Sequence, residues 1–258
     1  MPEIIAFVSP KGGCGATAVC AGVWHSLAKT GKNILAVDCC CGKCTLDFAL
    51  GMQNDSVYDA FDVASGSCSL DDAVCSLGEN AFFLRGSEEI TDIGEFKDFI
   101  EKSSYDFVLL DIPPYGLDIS DLHGKLWDKL VVITDCSQIS AKLCGKFTEG
   151  LDTQSIYAVI NKIIPSYIKD GIFPTADEIL DDMGIYPLGL IPWSLDIVAA
   201  SARGFSPDMP QSSATQAFDN ISRRILGESV PAIDFDKVKI DFKNKKSFIN
   251  KLTGGNHK

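Results

Sequence analysis

Seven short apolar runs constrain the fold of this chain, because segments of helical length separate most of them. The runs are Ile4–Val8, Ile34–Val37, Ala81–Leu84, Phe107–Leu110, Leu130–Ile133, Ile156–Ile160 and Leu188–Ile191. Helical patterns between them cover Thr17–Lys29, Ile93–Lys102, Ala141–Leu151 and Thr175–Met183. This alternation predicts an α/β fold with a doubly wound, mostly parallel sheet and helices on both faces. Ligands of such sheets bind beyond the carboxyl ends of the strands, so we expect the loops after Val8, Val37 and Leu110 to meet at one site.

A glycine-rich segment follows the first apolar run directly. Its sequence is Pro10-Lys11-Gly12-Gly13-Cys14-Gly15-Ala16-Thr17. Glycines allow successive backbone N–H groups to turn toward a phosphate, and a Ser or Thr hydroxyl can bind Mg²⁺. A helix that begins at Thr17 would add its dipole and its free N–H groups to an anion site. The segment therefore predicts a phosphate-binding loop, with a glycine turn that binds no ligand as the alternative.

Two positions of this loop depart from the usual pattern. Ala16 stands where a lysine normally reaches the β- and γ-phosphates, and Pro10 lacks a backbone N–H. Loss of one charge-assisted contact weakens phosphate binding by about 1.5–3 kcal/mol. Another lysine, Lys11, lies at the start of the loop.

Two aspartates follow predicted strands of the same sheet. Asp111 comes directly after the run Phe107–Leu110, where a carboxylate can hold Mg²⁺ or its water. Asp38 follows the second run and could orient water or Mg²⁺ in the same way. For Asp38 the alternative is a turn that simply ends the strand.

The ordered set of these motifs resembles the MinD/ParA family of deviant Walker A ATPases, which have the P-loop NTPase fold. The matching elements are Lys11-Gly12-Gly13-x-Gly15, Asp38 with Leu46-Asp47, Asp111-x-Pro113, Asn161, Gly189-Leu190-Ile191-Pro192, Asp196-Ile197-Val198 and Ala202-Arg203-Gly204. The resemblance covers residues 3 to about 226. It implies that ATP and Mg²⁺ are the ligands and that two chains form a homodimer around ATP.

The resemblance also implies a role for each site residue. Lys11 would reach the phosphates of the partner chain, and Lys11 and Asp38 are the predicted catalytic residues. Thr17 and Asp111 would serve Mg²⁺. The nucleotide would contact Lys11, Gly12, Gly13, Cys14, Gly15, Ala16, Thr17, Asn161 and Pro192, with Asn161 and the segment after Pro192 at the adenine.

Departures from the family pattern leave two functions open. Cys40 replaces the family's switch-loop aspartate and Ala16 its second loop lysine, which together predict slow ATP hydrolysis or none. The first function is a nucleotide-dependent, membrane-associated positioning protein for septum-site or similar spatial regulation. The second is a weak or inactive pseudo-ATPase scaffold that localises pilus or flagellar machinery, because the change at Ala16 is similar to that of the TadZ/CpaE branch.

The end of the chain differs in charge from the rest. Residues 237–258 contain seven Lys and one Asp, a net charge of +6, whereas the remainder carries −18. Phe242, Phe248, Ile249 and Leu252 fall on one arc of a helical wheel. The segment is similar to the membrane-targeting helix that ends MinD proteins. We therefore predict a P-loop domain over 1–227 and a basic tail over 228–258 that binds an anionic membrane through Phe248, Ile249 and Leu252. A disordered tail and a helix packed on the domain are the alternatives.

Charge and cysteine content restrict partners and compartment. A net charge of −12 argues against broad attraction to nucleic acid. The chain has no recognisable leader, so we expect it in the cytoplasm, peripheral to the inner face of the membrane, with its ten cysteines reduced. Cys39, Cys40, Cys41 and Cys44 are interpreted as small residues in a tight loop, with a redox-sensitive or metal site as the alternative.

Overall fold

The computed structural model describes residues 1–39, 45–52, 56–89, 93–112, 126–204, 211–231 and 233. Within these ranges, one sheet has the strand order β3-β4-β2-β5-β1-β6-β7-β8. The strands are β1 (Glu3–Val8), β2 (Ile34–Asp38), β3 (Cys75–Ser76), β4 (Ala81–Leu84), β5 (Phe107–Ile112), β6 (Lys129–Thr134), β7 (Ile156–Ile163) and β8 (Tyr186–Pro192). The β3–β4 pair is antiparallel and the other pairs are parallel. The predicted mostly parallel α/β sheet is confirmed.

Helices connect most of the strands. The α-helices that the structure describes are α1 (Ala16–Ala28), α2 (Leu46–Leu50), α3 (Ala60–Ala64), α4 (Leu70–Ala73), α5 (Lys97–Glu101), α6 (Gln138–Thr148), α7 (Pro165–Lys169), α8 (Ala176–Met183), α9 (Leu195–Arg203) and α10 (Ser213–Ile225). Short 3₁₀ helices cover Ile93–Phe96 and Thr153–Ser155. None of the described helices is long and apolar enough to cross a membrane.

The sheet separates two hydrophobic cores, which explains why its strands are almost entirely apolar. Ile5 and Phe7 of β1 face the core shared with α1 and α10, whereas Ile4, Ala6 and Val8 face the core shared with α6 and α8. A strand that is buried on both faces needs a continuous apolar run rather than an alternating one. The predicted arrangement of helices on both faces is confirmed.

Helix α1 is fixed against the sheet by a buried indole. Trp24 is fully buried, and its Nε1 donates hydrogen bonds to the backbone oxygens of Phe82 (2.9 Å) and Ile34 (3.3 Å). These bonds hold α1 across β2 and β4. Because the glycine-rich loop runs directly into α1, they also fix the position of the loop.

The carboxyl ends of β1, β2 and β5 lie side by side at the middle of the sheet. Strand β1 is flanked by β5 on one side and β6 on the other, so the chain changes direction across the sheet at this point. Val8 is in register with Ile112, and Asp38 with Asp111. The loops after β1 and β2 therefore begin at the same edge of the sheet, where ligands of open α/β sheets bind.

Several sequence-based boundaries differ from the observed ones. Helix α1 begins at Ala16 rather than Thr17, and α6 spans 138–148 rather than 141–151 because Ser137 caps it. The helix predicted over 93–102 is divided into a 3₁₀ turn and a short α-helix. Cys40 and the tail residues Phe248, Ile249 and Leu252 lie outside the described residues.

Candidate nucleotide-binding site

The glycine-rich loop has the backbone conformation that an anion site requires. Gly13 and Gly15 adopt left-handed φ angles of 85° and 94°, and Gly15 is the N-cap of α1. The first turn of α1 contains no acidic side chain that could occupy its N–H groups. A helix N-terminus with this arrangement attracts phosphate through its dipole and its backbone donors.

Two buried aspartates lie next to this loop on adjacent strands. Asp38 is fully buried and Asp111 is 5 % exposed. The Oδ2 of Asp38 accepts hydrogen bonds from the backbone N–H groups of Thr45 (3.1 Å) and Leu46 (3.0 Å), at the start of α2. Thr17 lies close enough to Asp111 for its hydroxyl to act on the pKa of that carboxyl, so the structure brings together the two predicted magnesium ligands.

The electrostatics of this acidic pair favour a cation. Burial removes water from the Asp111 carboxylate and the charge of Asp38 repels it, so the pKa of Asp111 rises to about 7 despite the hydrogen bond from Thr17. A divalent cation beside Asp111 would relieve both effects. Hard oxygen ligands such as a hydroxyl and a carboxylate are those that Mg²⁺ prefers.

Lys11 forms an ion pair within its own chain. Its Nζ lies 2.6 Å from Oδ2 of Asp135, the residue directly after β6. The Oδ1 of Asp135 accepts from the backbone N–H (3.0 Å) and the hydroxyl (2.6 Å) of Ser137. The hydrogen bond to Asp135 raises the pKa of Lys11. Burial acts to raise the pKa of Asp135, but the bonds from Lys11, Ser137 and Ser140 outweigh it and the pKa is lowered.

Sequence reasoning missed Asp135. The same signal that singled out Asp111, an aspartate at the end of an apolar run, is present at Leu130–Asp135 and could have identified it. Nearby, Cys14 is buried, with its Sγ 3.8 Å from both Oδ2 of Asp135 and the hydroxyl oxygen of Ser140. Cys14 therefore belongs to the side of the loop that faces the protein interior.

Asn161 and Lys162, at the end of β7, both bind the loop through its backbone. The side-chain amide of Asn161 donates to the carbonyl of Cys14 (2.9 Å), and Nζ of Lys162 donates to the carbonyl of Gly13 (2.5 Å). Asn161, predicted at the adenine, thus has its amide nitrogen on the loop, and its Oδ1 accepts from the Lys162 backbone N–H (2.8 Å). No sequence signal had pointed to Lys162.

A groove with a volume of about 370 Å³ leads away from the loop. Its lining joins the loop and α1 to the end of β7 and to the start of α9. The lining residues are Gly15, Thr17, Ala18, Thr45, Ala49, Asn161, Lys162, Pro192, Trp193, Ser194, Ile197, Val198 and Ser201. The predicted contacts Asn161 and Pro192 are among them. The apolar side chains beyond Pro192 offer a surface on which a planar base can pack.

No group of three or more His, Cys, Asp or Glu side chains that could hold a metal ion occurs in the part of the chain that the structure describes. Cys39 is buried. Its neighbours Cys40, Cys41 and Cys44 lie outside the described residues, so the interpretation of this cluster stays a prediction.

The chain is similar to proteins of a known nucleotide-binding family. A family model described as the CobQ/CobB/MinD/ParA nucleotide binding domain matches residues 5–207. The chain belongs to this family. The match includes every predicted site residue from Lys11 to Pro192, and it confirms the resemblance that the motifs had indicated.

Individual members of the CobQ/CobB/MinD/ParA family are similar over most of the chain. The septum site-determining protein MinD of Bacillus subtilis is 30% identical over 247 residues, which cover 90% of this chain and 91% of that protein. MinD in the Aquifex aeolicus MinC:MinD complex superposes with a TM-score of 0.80 at 26% identity, covering 90% and 98% of the two chains. MinD of Pyrococcus horikoshii, complexed with Mg-ADP, has a TM-score of 0.72 at 25% identity, covering 87% and 96%.

Proposed function

We propose that this protein is a nucleotide-dependent positioning ATPase of the MinD type, which binds ATP and Mg²⁺. The observation that carries the proposal is the buried pair Asp38 and Asp111 beside Thr17, at the N-terminus of a helix that has no side-chain cap. Two buried carboxylates side by side repel each other when both are ionised, and a divalent cation bound to a polyphosphate would stabilise them. MinD of Pyrococcus horikoshii carries Mg-ADP, which is the same class of ligand.

The residues present fit both ligands. Backbone N–H groups from Gly12 to Thr17 would bind the phosphates, and the groove from Asn161 to Pro192 would take the adenosine. Thr17 and Asp111 would hold Mg²⁺, with Asp38 orienting water or the cation. Mg²⁺ supplies charge neutralisation on the phosphate oxygens.

ATP would also control association between two chains. In the proposed homodimer, Lys11 leaves Asp135 and reaches the phosphates bound by the partner. The ion pair between Lys11 and Asp135 is partly exposed, with side-chain exposures of 36% and 24%, so a nearby polyphosphate can compete for the lysine. Residues 1–227 would form the part of the chain whose association depends on ATP.

The tail, residues 228–258, would then connect the dimer to a membrane. One short amphipathic helix is a weak and reversible anchor, and two tails on one dimer bind far more tightly. The protein would then be cytoplasmic and would bind the inner face of the membrane when it carries ATP. The protein partner would belong to a division system or a similar one; MinD of Aquifex aeolicus has been solved in complex with MinC.

A second candidate is a scaffold that binds nucleotide without turning it over. Ala16 favours it, because the loop lacks the lysine that normally reaches the β- and γ-phosphates. Cys40 favours it as well, because a thiol replaces the carboxylate that would place the attacking water. Such a scaffold would localise pilus or flagellar machinery rather than a septum.

A single-turnover assay with Mg-ATP separates the two candidates. We expect the protein to bind ATP and to release phosphate slowly. We expect the double variant Ala16→Lys with Cys40→Asp to release it at least tenfold faster, since lowering the barrier by about 1.4 kcal/mol raises the rate tenfold. Tight binding with no phosphate release in either protein would instead support the scaffold. Failure of both proteins to bind ATP would refute the proposal.

The membrane role of the tail can be tested with vesicles that contain anionic lipids. We expect Phe248→Glu to abolish co-sedimentation in the presence of ATP, because a charge in the apolar arc opposes insertion. Asn250→Glu is the matched control, since it adds the same charge on the opposite side of the predicted helix. Equal sedimentation of the Phe248→Glu variant and the parent would rule out an amphipathic anchor.

A further inference from the structure

Helix α10 lies between the candidate nucleotide site and the predicted tail, and it packs closely on α1 and β8. Phe218 covers Gly22 of α1, where an added Cβ would meet the ring at 2.6 Å. Ile221 covers Gly189 of β8 so closely that an added Cβ would overlap it. Because α1 begins at the glycine-rich loop and β8 ends at the groove, α10 has a fixed position relative to both parts of the site.

The chain turns back at the end of α10. Gly227 has a left-handed φ of 86°, and its N–H donates to the carbonyl of Arg224 (3.0 Å). The N–H of Glu228 donates to the carbonyl of Arg223 (2.9 Å). A glycine in this conformation commonly ends a helix and reverses the chain. The residues after Gly227 therefore return toward the last turn of α10.

The side chain of Arg224 binds the returning chain and β8 at the same time. Its Nη1 donates to the Leu188 carbonyl of β8 (2.9 Å), and its Nη2 donates to the carbonyls of Val230 (2.9 Å) and Pro231 (2.9 Å). Its Nε also donates to Val230 (3.3 Å). The planar guanidinium presents its donors in a fixed fork, so these bonds hold three carbonyls in one arrangement.

Arg224 forms no ion pair with a carboxylate in the part of the chain that the structure describes. Its charge therefore serves the backbone. Ile233 adds an apolar contact, because its partly buried side chain packs against the core shared by α1 and α10. The first residues of the predicted tail are thus attached to the body of the protein.

We propose that Arg224 is the anchor of the membrane-binding tail: it ties residues 228–231 to β8, so that the tail leaves each body at one fixed point. The inference rests on the membrane role proposed for the tail, and it adds the residue that controls how strongly two tails of one dimer bind together. Arg224 is a positioning residue, since it acts on membrane binding only through the segment that it holds.

The anchor shortens the linker between the body and the predicted apolar arc, which begins at Phe242. With the anchor in place, residues 234–241 separate the two; without it, residues 228–241 do. The effective concentration of a second tail decreases with roughly the −3/2 power of linker length, so loss of the anchor lowers it about two- to threefold. The affinity of a single tail for a membrane does not depend on the linker and stays the same.

A direct test is the backbone order of residues 229–230 in Arg224→Gln, measured by ¹⁵N relaxation of the full chain without nucleotide. We expect order parameters of about 0.85 in the parent and below about 0.6 in the variant, the values of rigid and flexible backbone. Arg223→Gln is the matched control. Its ion pair with Glu228 is exposed, so its loss should leave the order parameters unchanged.

Binding to vesicles that contain anionic lipids measures the consequence for the membrane. With Mg-ATP, Arg224→Gln is expected to need about two to three times as much lipid as the parent for half-maximal co-sedimentation. Without nucleotide, the two proteins should bind equally weakly, which a general folding defect would not produce. Arg224→Lys should behave like Arg224→Gln, because an ammonium does not reproduce the fork of the guanidinium.

Gly227→Ala reaches the same segment without a change at Arg224. Nothing lies within 4 Å of a Cβ at this position, so the substitution acts only through the left-handed backbone. We expect it to lower the order parameters of residues 229–230 and the vesicle affinity with Mg-ATP, as Arg224→Gln does.

Three results would overturn the inference. They are unchanged order parameters in Arg224→Gln, an unchanged vesicle affinity with Mg-ATP although the segment is released, and an equal loss of vesicle affinity with and without nucleotide. In each of these cases the parent still binds ATP and vesicles, so the proposed function stands. If the parent binds neither, the proposed function fails and the inference fails with it.

Discussion

Gly15→Ala is expected to reduce nucleotide binding at least tenfold, whereas Gly31→Ala leaves it intact. Both glycines have left-handed φ angles, 94° and 81°, so either substitution destabilises the fold by about 1–2 kcal/mol. Only at Gly15 does the new Cβ meet another group: it would lie 2.7 Å from Nδ2 of Asn161, while nothing lies within 4 Å at Gly31. Asn161 must then release the Cys14 carbonyl, and the loop loses its support.

Calorimetry of ADP binding, together with thermal unfolding of each variant, checks this expectation. Both variants should unfold at a lower temperature than the parent, with Gly15→Ala the lower of the two. The loss of ADP affinity should be confined to Gly15→Ala if the contact with Asn161 is what orders the loop. Equal ADP affinity in Gly15→Ala and Gly31→Ala would contradict the structural account of the site.

Asp111→Asn is expected to make the metal-free protein more stable above pH 7, although it removes a predicted magnesium ligand. Burial and the neighbouring charge of Asp38 raise the pKa of Asp111 from 3.8 to about 7 in the folded chain. Between these two values the folded state keeps a proton that the unfolded state has lost. The free energy of unfolding therefore decreases as pH rises through this window, by up to about 1.4 kcal/mol per pH unit.

Urea unfolding at several pH values between 4 and 8, with a chelator present, measures this effect. The parent should lose stability over the window, and Asp111→Asn should not, so the difference is largest at pH 8 and vanishes near pH 4. Added Mg²⁺ and ADP should restore the parent more than the variant. Asp181→Asn, an exposed residue of α8, is the control and should keep the slope of the parent. If the free energy of unfolding of Asp111→Asn changed with pH as steeply as that of the parent, burial would not raise the pKa of Asp111 and the prediction would be wrong.

The parts of the site that sequence reasoning predicted are those encoded locally. The glycine-rich loop, Thr17 and the aspartates at strand ends depend on residues within one turn of the chain and on the rule that parallel strands present their carboxyl ends together. The apolar runs likewise placed seven strands, because a strand buried on both faces requires them. The short β3 has no such run, since it is an edge strand of two residues.

The contacts that hold the loop in place could not be predicted, because their partners are distant in sequence. Lys11 and Asp135 are separated by 124 residues, and Gly13 and Lys162 by 149. Each of these pairs depends on how β6 and β7 are placed beside β1, and no local sequence pattern predicts that placement. The left-handed conformation of Lys162 adds to the difficulty, since lysine has no preference for it.

The ion pair between Lys11 and Asp135 has a consequence for how self-association would be triggered. Two hydrogen bonds from Ser137 hold the Asp135 carboxylate in place, where it competes with any bound phosphate for Lys11. In the proposed homodimer, a diphosphate in the second copy would compete for Lys11 less effectively than a triphosphate, because it carries less negative charge. On the proposed function, Asp135 would thereby favour association with a neighbour that carries ATP over one that carries ADP.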